Sequence, residues 1–176
     1  MPMEIAGMSE AGAPLAGAPS SRRIDTSGWH PALVEIYRHW LSLCPGEEEL
    51  PGRQHLDPAA FPHLLPQVWL VDVARDPMRF RYRLVGTRID QVTGVNLTGK
   101  WMDEIHPRSH IEGAGFQRYY RAAESGLPSW RRGRPLFWYA KVAEIENVLL
   151  PLARDGRTVD MLLAHTRFYG SDGTEL

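Results

Sequence analysis

The sequence predicts an α+β domain, in which helices are inserted after the second strand of a five-stranded antiparallel sheet. Apolar residues recur at helical spacing in residues 29–44. Residues 67–85 form two strands around a turn at 75–77, and Asp155-Gly156 separates two later strands. An amphipathic helix, two strands, helices and three further strands make up the element order of an α+β domain.

The leading helix is predicted over residues 29–44. Counted from Trp29, its large apolar residues stand at i, i+4, i+7, i+8, i+11, i+12 and i+15. Ser27 or His30 can cap its first turn, and Pro31 suits a first helical position. Burial of each large apolar side chain contributes about 1.5–3 kcal/mol. This face is therefore expected to pack on the domain's own sheet or on a partner.

Turn signals through residues 45–66 predict a structured connector with a short helical turn near 58–63. The continuous apolar run 67–73 predicts a central strand. In the strand after it, successive side chains are expected on opposite faces. The residues expected to face the core are Phe80, Tyr82 and Leu84, and those expected to face solvent are Arg79, Arg81 and Arg83.

Glycines punctuate the segment that follows this hairpin, at positions 86, 94 and 99. Their spacing matches neither a dinucleotide fingerprint nor a phosphate-binding loop. We expect them to supply positive φ angles and close backbone approach where the chain leaves the sheet and crosses it.

The rest of the chain predicts helical turns over 87–106 and a helix over 109–125 that ends at Gly126. Along the strands that follow, Glu144 and Glu146 alternate and are expected on a solvated face opposite basic neighbours. The three predicted strands cover roughly 129–140, 143–153 and 158–169.

Composition excludes several classes of protein. The formal net charge is -1 and the pI is about 6.7, so the whole chain carries no electrostatic footprint for nucleic acid. Cys44 stands alone, which excludes an internal disulfide and a cysteine-based zinc site. Apolar runs are too short for a membrane span and no signal peptide precedes Arg22, so we expect a cytoplasmic protein.

The chain is expected to divide into four parts. The Ala-, Gly-, Pro- and Ser-rich start buries too little to offset its ordering entropy. The predicted parts are a disordered tail over 1–24, the helix and connector over 25–60, the main domain over 61–170 and a C-terminal tail over 171–176.

Several motifs together resemble a PAS domain. The stretch "VTGVNLTGKWMDEIHP" (92–107) is similar to the PAS segment after the first hairpin. "YRHW" (37–40), "LLPQVWLVDV" (64–73) and "VLLPLARDGRTVDMLLA" (148–164) resemble the single-domain PAS proteins of the alphaproteobacterial PAS_5 type. The resemblance covers about residues 29–169.

This resemblance implies a PAS fold, with helices over one face of the sheet and a cavity that in many PAS domains holds a small ligand. Aromatic residues form the candidate pocket wall, namely Trp69, Trp101, Phe116, Tyr120, Phe137 and Trp138. Polarity is expected from Tyr82, Arg118 or His165. The predicted ligand-binding set is Tyr82, Trp101, Phe116, Tyr120, Leu150 and His165.

No cofactor is assigned from the sequence. Flavin–thiol adduct chemistry needs a cysteine after the first hairpin, and Cys44 lies in the leading helix, although noncovalent flavin stays open. Haem is an alternative through His106 or His110, which lie just before or at the start of the long helix. No spacing typical of another metal site occurs.

The function predicted from the sequence is that of a stand-alone cytoplasmic PAS module that senses a small ligand, contacts a signalling protein, or both. No catalytic constellation is present, so an enzyme is not expected. Alternatives are a ligand-free interaction adaptor and a haem-binding sensor. No nucleic-acid or membrane partner is expected, and a homodimer is predicted through the helix at 29–44.

Overall fold

An antiparallel sheet of five strands forms the centre of the protein in a computed structural model that describes residues 20–106, 113–135 and 140–176. The spatial order of the strands is β2-β1-β5-β4-β3. The predicted α+β fold class and strand order along the chain are confirmed. The strands are β1 (Val68–Ala74), β2 (Arg79–Val85), β3 (Ser129–Gly133), β4 (Glu144–Leu152) and β5 (Met161–Tyr169).

The helices also follow the predicted order. The start of the helix predicted over 109–125 and the end of the strand predicted over 129–140 lie outside the described residues. Within the described ranges, no helix has both the length and the apolarity needed to cross a bilayer. The helices are α1 (Pro31–Leu43), α2 (Thr87–Thr93), α3 (Met102–Ile105) and α4 (Ala114–Ser125), with 3₁₀ turns at Ser20–Arg22, Arg53–His55, Pro58–Ala60 and Pro62–Gln67.

Helix α1 packs on β4 and β5 of its own sheet. Nδ1 of His30 accepts a hydrogen bond from the backbone N–H of Ala32 at 3.1 Å, so His30 caps the helix. The indole N–H of Trp40 donates to the carbonyl oxygen of Pro151 at 2.8 Å. The apolar stripe is buried within one chain, and its members are Trp29, Leu33, Ile36, Tyr37, Trp40, Leu41 and Cys44.

The two faces of the sheet have different partners. The side chain of Asn147 accepts a hydrogen bond from Arg118 of α4, whereas that of Glu146 accepts one from the backbone N–H of His30, which precedes α1. Since side chains alternate along a strand, Leu150 lies on the same face as Glu146. We call the two surfaces the α4 face and the α1 face.

A β-bulge in β2 corrects the prediction for Leu84. The register against β1 shifts between Leu70 and Val71, so that Leu70 pairs with Leu84 while Val71 pairs with Tyr82. The extra residue is Arg83, and it turns Leu84 away from the core face that Tyr82 occupies. Leu84 is 46% exposed, and the other two predicted core residues of this strand, Phe80 and Tyr82, are buried.

Two of the three glycines of the crossing segment have the expected positive φ angles, whereas Gly86 has a φ angle of -67° and permits only the expected close approach. Gly94 and Gly99 have φ angles of +72° and +82°. A Cβ atom on Gly86 would lie 2.3 Å from the carbonyl oxygen of Pro66. This distance is too short for any residue with a side chain, so glycine is required here. Gly99 also donates its N–H to the carbonyl oxygen of Tyr82 at 2.6 Å, which fastens the segment to the edge of β2.

The described ends of the chain, residues 20–24 and 171–176, contact the rest of the domain, whereas residues 1–19 lie outside the described part. Arg22 is buried and donates to the carbonyl oxygens of Gly46 and Glu49 at 3.0 and 2.8 Å. At the other end, Glu175 forms a β-bridge with Tyr169. The ordering cost of these segments is therefore offset by hydrogen bonds to the connector and to β5.

Candidate functional site

The interior on the α4 face contains a buried phenol–imidazole pair. Strand β2 presents Tyr82 to this interior, and its hydroxyl lies 3.0 Å from Nε2 of His106. His106 directly follows α3, and its backbone N–H donates to the carbonyl oxygen of Met102 at 2.9 Å. Both side chains are buried. The pair therefore places two hydrogen-bonding groups in an otherwise aromatic environment.

Trp69 of β1 adds a further polar group to this pair. Its ring is stacked on that of Tyr82 with centroids 5.4 Å apart and an interplanar angle of 16°, and Tyr119 meets it edge-on at 6.4 Å. The indole Nε1–H of Trp69 is buried and has no hydrogen-bond acceptor within the part of the chain that the structure describes. Buried donors are normally hydrogen bonded. The indole N–H of Trp69 could therefore bind an acceptor atom of a ligand.

Helix α4 closes the same interior with aromatic rings. Phe116 is buried on its sheet-facing side. Tyr119 and Tyr120 both contact Phe80, with ring centroids 5.6 and 5.2 Å apart respectively. The hydroxyl of Tyr120 reaches the carbonyl oxygen of Met78 at 3.4 Å, so Tyr120 lies at the rim of the interior.

The structure brings together three of the six predicted ligand-binding residues. Tyr82 and Phe116 are buried on the α4 face, and Tyr120 lies at its rim. Trp101 lies instead at the sheet edge, where the guanidinium groups of Arg79 and Arg81 stand 4.2 and 5.5 Å from its ring centroid. The predicted wall residues Phe137 and Trp138 lie outside the described residues.

Leu150 and His165, the other two predicted ligand-binding residues, lie on the α1 face. His165 pairs with Val148, which shares its face with Leu150 and Glu146. The sheet therefore separates these two side chains from Phe116, which corrects the expectation that all six line one cavity. The physical reason is that β4 and β5 are buried on both faces, so their sequence has no polar–apolar alternation to indicate the face of each residue.

The imidazole ring of His165 is buried on this face. Neither ring nitrogen has an acceptor or donor among the described residues. Burial, together with the positive charges of Arg167 and His30, lowers the pKa of His165 from 6.5 to about 3. At neutral pH the ring is therefore uncharged.

Arg118, considered as a source of pocket polarity, does face the α4 side. Its guanidinium donates hydrogen bonds to the side chain of Asn147 in β4 and to the hydroxyl and carbonyl oxygens of Ser129 in β3. These bonds connect α4 to both strands. Burial lowers the pKa of Arg118 to about 10, so the group stays positively charged at neutral pH. It belongs to the sheet edge rather than to the cluster around Tyr82.

The haem alternative depends on His106 and His110. Nε2 of His106 is hydrogen bonded to Tyr82, so iron ligation through this atom would require that bond to break. His110 lies outside the described residues. Across the described ranges, no group of three or more His, Cys, Asp and Glu residues is arranged to hold a metal ion.

Glu146 has a structural role that the sequence did not reveal, and the prediction of a solvated position for it is wrong. Its carboxylate is buried and accepts hydrogen bonds from the His30 N–H at 2.6 Å, the Trp130 indole N–H at 3.1 Å and the Tyr169 hydroxyl at 3.3 Å. Glu144 does behave as expected, since it is half-exposed and pairs with Arg132 at 3.1 Å. Glu146 is buried because the segment before α1 folds back over the sheet.

An apolar cleft of about 180 Å³ opens on the α1 face beside β1 and β2. Leu84, which the bulge turns outward, lies on its floor with Leu70 and Leu163. Phe61 of the connector contributes to the opposite wall. Helix α1 covers β4 and β5 but leaves this part of the face open.

The fold and the buried site define a class of protein, namely an α+β domain whose interior lies between an antiparallel sheet and crossing helices. Comparison with protein families gives a match to the PAS domain over residues 29–165, which is well over half of the chain. The chain belongs to the PAS_5 family of PAS domains. No curated protein was found to match it. The family indicates a sensory or signalling module.

Proposed function

We propose that this chain is a cytoplasmic PAS module that binds a small ligand in the α4-face interior and passes the signal to a protein partner without catalysing a reaction. One observation carries the proposal. The buried indole N–H of Trp69 has no acceptor among the described residues, and it lies beside the hydrogen-bonded pair of Tyr82 and His106. A ligand with an acceptor atom would offset the desolvation cost of this donor.

The surroundings indicate the chemistry of such a ligand. Aromatic rings from Tyr82, Phe80 and Phe116 favour a flat, largely apolar molecule. Trp69 would donate a hydrogen bond to it, and the Tyr82–His106 pair would orient it. Arrangements of a few polar groups in an apolar wall are typical of small-molecule sites. The proposed role is therefore recognition.

Native mass spectrometry of the purified protein tests the proposal. A ligand would add a reproducible mass to the native protein that disappears on denaturation. Trp69→Phe removes the indole donor and should reduce this mass, whereas Trp101→Phe makes the same substitution at the sheet edge and should preserve it. Native protein of unchanged mass in repeated preparations would contradict ligand binding.

A second candidate function is a ligand-free adaptor. The apolar cleft beside Leu84 favours it, because exposed apolar surface of this kind is typical of protein-interaction sites. In that case native protein carries no added mass, and Leu84→Glu abolishes capture of the partner. The matched control is Val95→Glu, which makes the same charge change at another exposed apolar position that does not line this cleft.

The homodimer stays a proposal, but the helix surface that would form its interface differs from the one predicted. The apolar stripe of α1 is buried on the chain's own sheet, so a dimer through this helix would use its outer side, including Glu35 and Arg38. Charge reversal at Arg38 should then weaken the dimer. Sedimentation at micromolar concentration decides the matter, since a monomeric full-length protein would contradict the proposal.

A further inference from the structure

A cleft of about 470 Å³ lies between α4 and β3, on the edge strand of the sheet. Arg118, Arg121 and Ala122 reach it from α4, where their spacing of three and four residues places them on one helix face. Ser129 and Arg131 reach it from β3. The volume lies within the range of small-molecule sites, about 300–1,000 Å³.

The side chains of this cleft have an excess of positive charge. All ten described residues that line it are neutral or basic, and three are arginines. Arg118 is only 7% exposed, and its acceptors are the hydroxyl and carbonyl oxygens of Ser129 and the side-chain and carbonyl oxygens of Asn147. All four acceptors are neutral. A buried cation is costly unless a negative charge lies close to it.

Arg131 supplies a second, independent observation. One of its terminal nitrogens donates to the carbonyl oxygen of Arg134 at 2.7 Å. The other, Nη1, is buried and has no hydrogen-bond partner within the described part of the chain. Arg121 is exposed at the mouth of the same cleft, and its Nε donates to the carbonyl oxygen of Gln117 at 3.3 Å. Guanidinium groups in such a cluster are suited to bind carboxylate or phosphate oxygens.

We propose that this cleft binds a small organic anion, whose carboxylate or phosphate group lies between Arg118, Arg121 and Arg131. An apolar part of the ligand would contact Leu127 and Pro128, which follow α4 at the same cleft. Leu127 is 43% exposed, so a ligand would remove apolar surface from water. This site is separate from the interior around Tyr82 and does not depend on the function proposed for it.

Two probes test the proposal, inorganic phosphate and benzoate, each titrated by isothermal calorimetry into the full chain. Sodium chloride at matched ionic strength gives the baseline for non-specific screening. Saturable binding of phosphate alone assigns a phosphate ligand, and saturable binding of benzoate alone assigns a carboxylate. Binding of both supports a general oxyanion site. Absence of saturable binding for both probes would overturn the proposal.

Three matched substitutions locate the binding. Arg131→Gln and Arg121→Gln should each weaken binding about tenfold, because each removes one charge-assisted hydrogen bond. Arg157→Gln makes the same charge change at an exposed turn and should leave binding within about twofold of the original. Equal affinity in all variants, or equal weakening by Arg157→Gln, would overturn the site. Arg121 is exposed, so its variant keeps the test valid if Arg131→Gln is unstable.

Discussion

The hydroxyl of Tyr82 and Nε2 of His106 lie 3.0 Å apart inside the protein, and the ring of Trp69 is stacked on Tyr82. The three side chains come from two adjacent strands and from the end of the crossing segment that follows them. Their polar groups therefore meet where the sheet and the helical layer join. In a sensory domain, a ligand bound there would contact both layers at once.

Loss of the Tyr82 hydroxyl should destabilise the protein. Tyr82→Phe leaves His106 without this buried hydrogen bond, and we expect a loss of about 1–3 kcal/mol in the free energy of unfolding. Tyr120→Phe is the matched control, because its hydroxyl makes a longer bond of 3.4 Å at the rim. Urea denaturation of both variants measures the difference. Equal losses would show that the Tyr82–His106 hydrogen bond contributes no more to the free energy of unfolding than the bond of Tyr120 does.

Phe116→Ala tests whether the interior on the α4 face has room for a ligand. A solid core would lose about 3–5 kcal/mol on this substitution, whereas a site next to existing space would lose less. We expect a smaller loss than for Leu152→Ala, a fully buried position of β4 on the α1 face. Leu70 is unsuitable for this comparison because it lines the open cleft on the α1 face. Thermal or urea unfolding gives the ranking, and a larger loss at Phe116 would favour the adaptor.

Glu146 should be essential to the attachment of α1. Glu146→Gln replaces one accepting oxygen by an amide donor, which would face N–H or O–H groups from His30, Trp130 and Tyr169. We expect a loss of about 1.5–3 kcal/mol. Glu144→Gln breaks only a half-exposed ion pair with Arg132 and should cost at most about 1 kcal/mol. Similar values for the two variants would contradict the structural role of Glu146.

Much of the fold was predictable because its signals are local. Helical spacing between Trp29 and Cys44 specified α1, and turn residues specified the hairpins. The positive φ angles of Gly94 and Gly99 were predicted correctly. Glycine has no Cβ atom and therefore adopts such angles without a steric clash. Each of these inferences needs only neighbouring residues.

The errors arose where distant contacts decide the outcome. Leu84 alternates correctly with Tyr82, but a bulge against β1 reverses its direction. Glu146 has the pattern of a solvated strand residue, and it is buried by a segment 116 residues earlier in the chain. Leu150 and His165 were predicted to line the candidate site, but they lie on the opposite face of the sheet. A strand that is buried on both faces has no polar–apolar alternation that indicates which face a residue occupies.

Acid should destabilise the protein through His165. The unfolded chain protonates this histidine near its ordinary pKa of 6.5, whereas burial lowers the pKa of the folded form to about 3. As the pH falls from 6.5 towards 3, the unfolded state binds a proton that the folded state does not, so stability decreases. Between pH 7 and pH 5 the loss from this group is about 2 kcal/mol.

His165→Leu removes this titration and should flatten the dependence of stability on pH over that range. Urea unfolding at pH 7 and pH 5 measures it. An unchanged slope in His165→Leu would contradict a buried neutral imidazole.

The indole resonance of Trp69 tests ligand binding in the interior most directly. A ¹H–¹⁵N correlation spectrum of the purified protein, with the signal assigned by its loss in Trp69→Phe, reports on the environment of Nε1–H. The protein is then denatured, freed of small molecules, refolded and measured again. We predict that the Trp69 signal shifts while that of Trp40, whose N–H is bonded to Pro151, stays in place. A Trp69 signal that is identical in the two spectra would contradict a ligand in this interior.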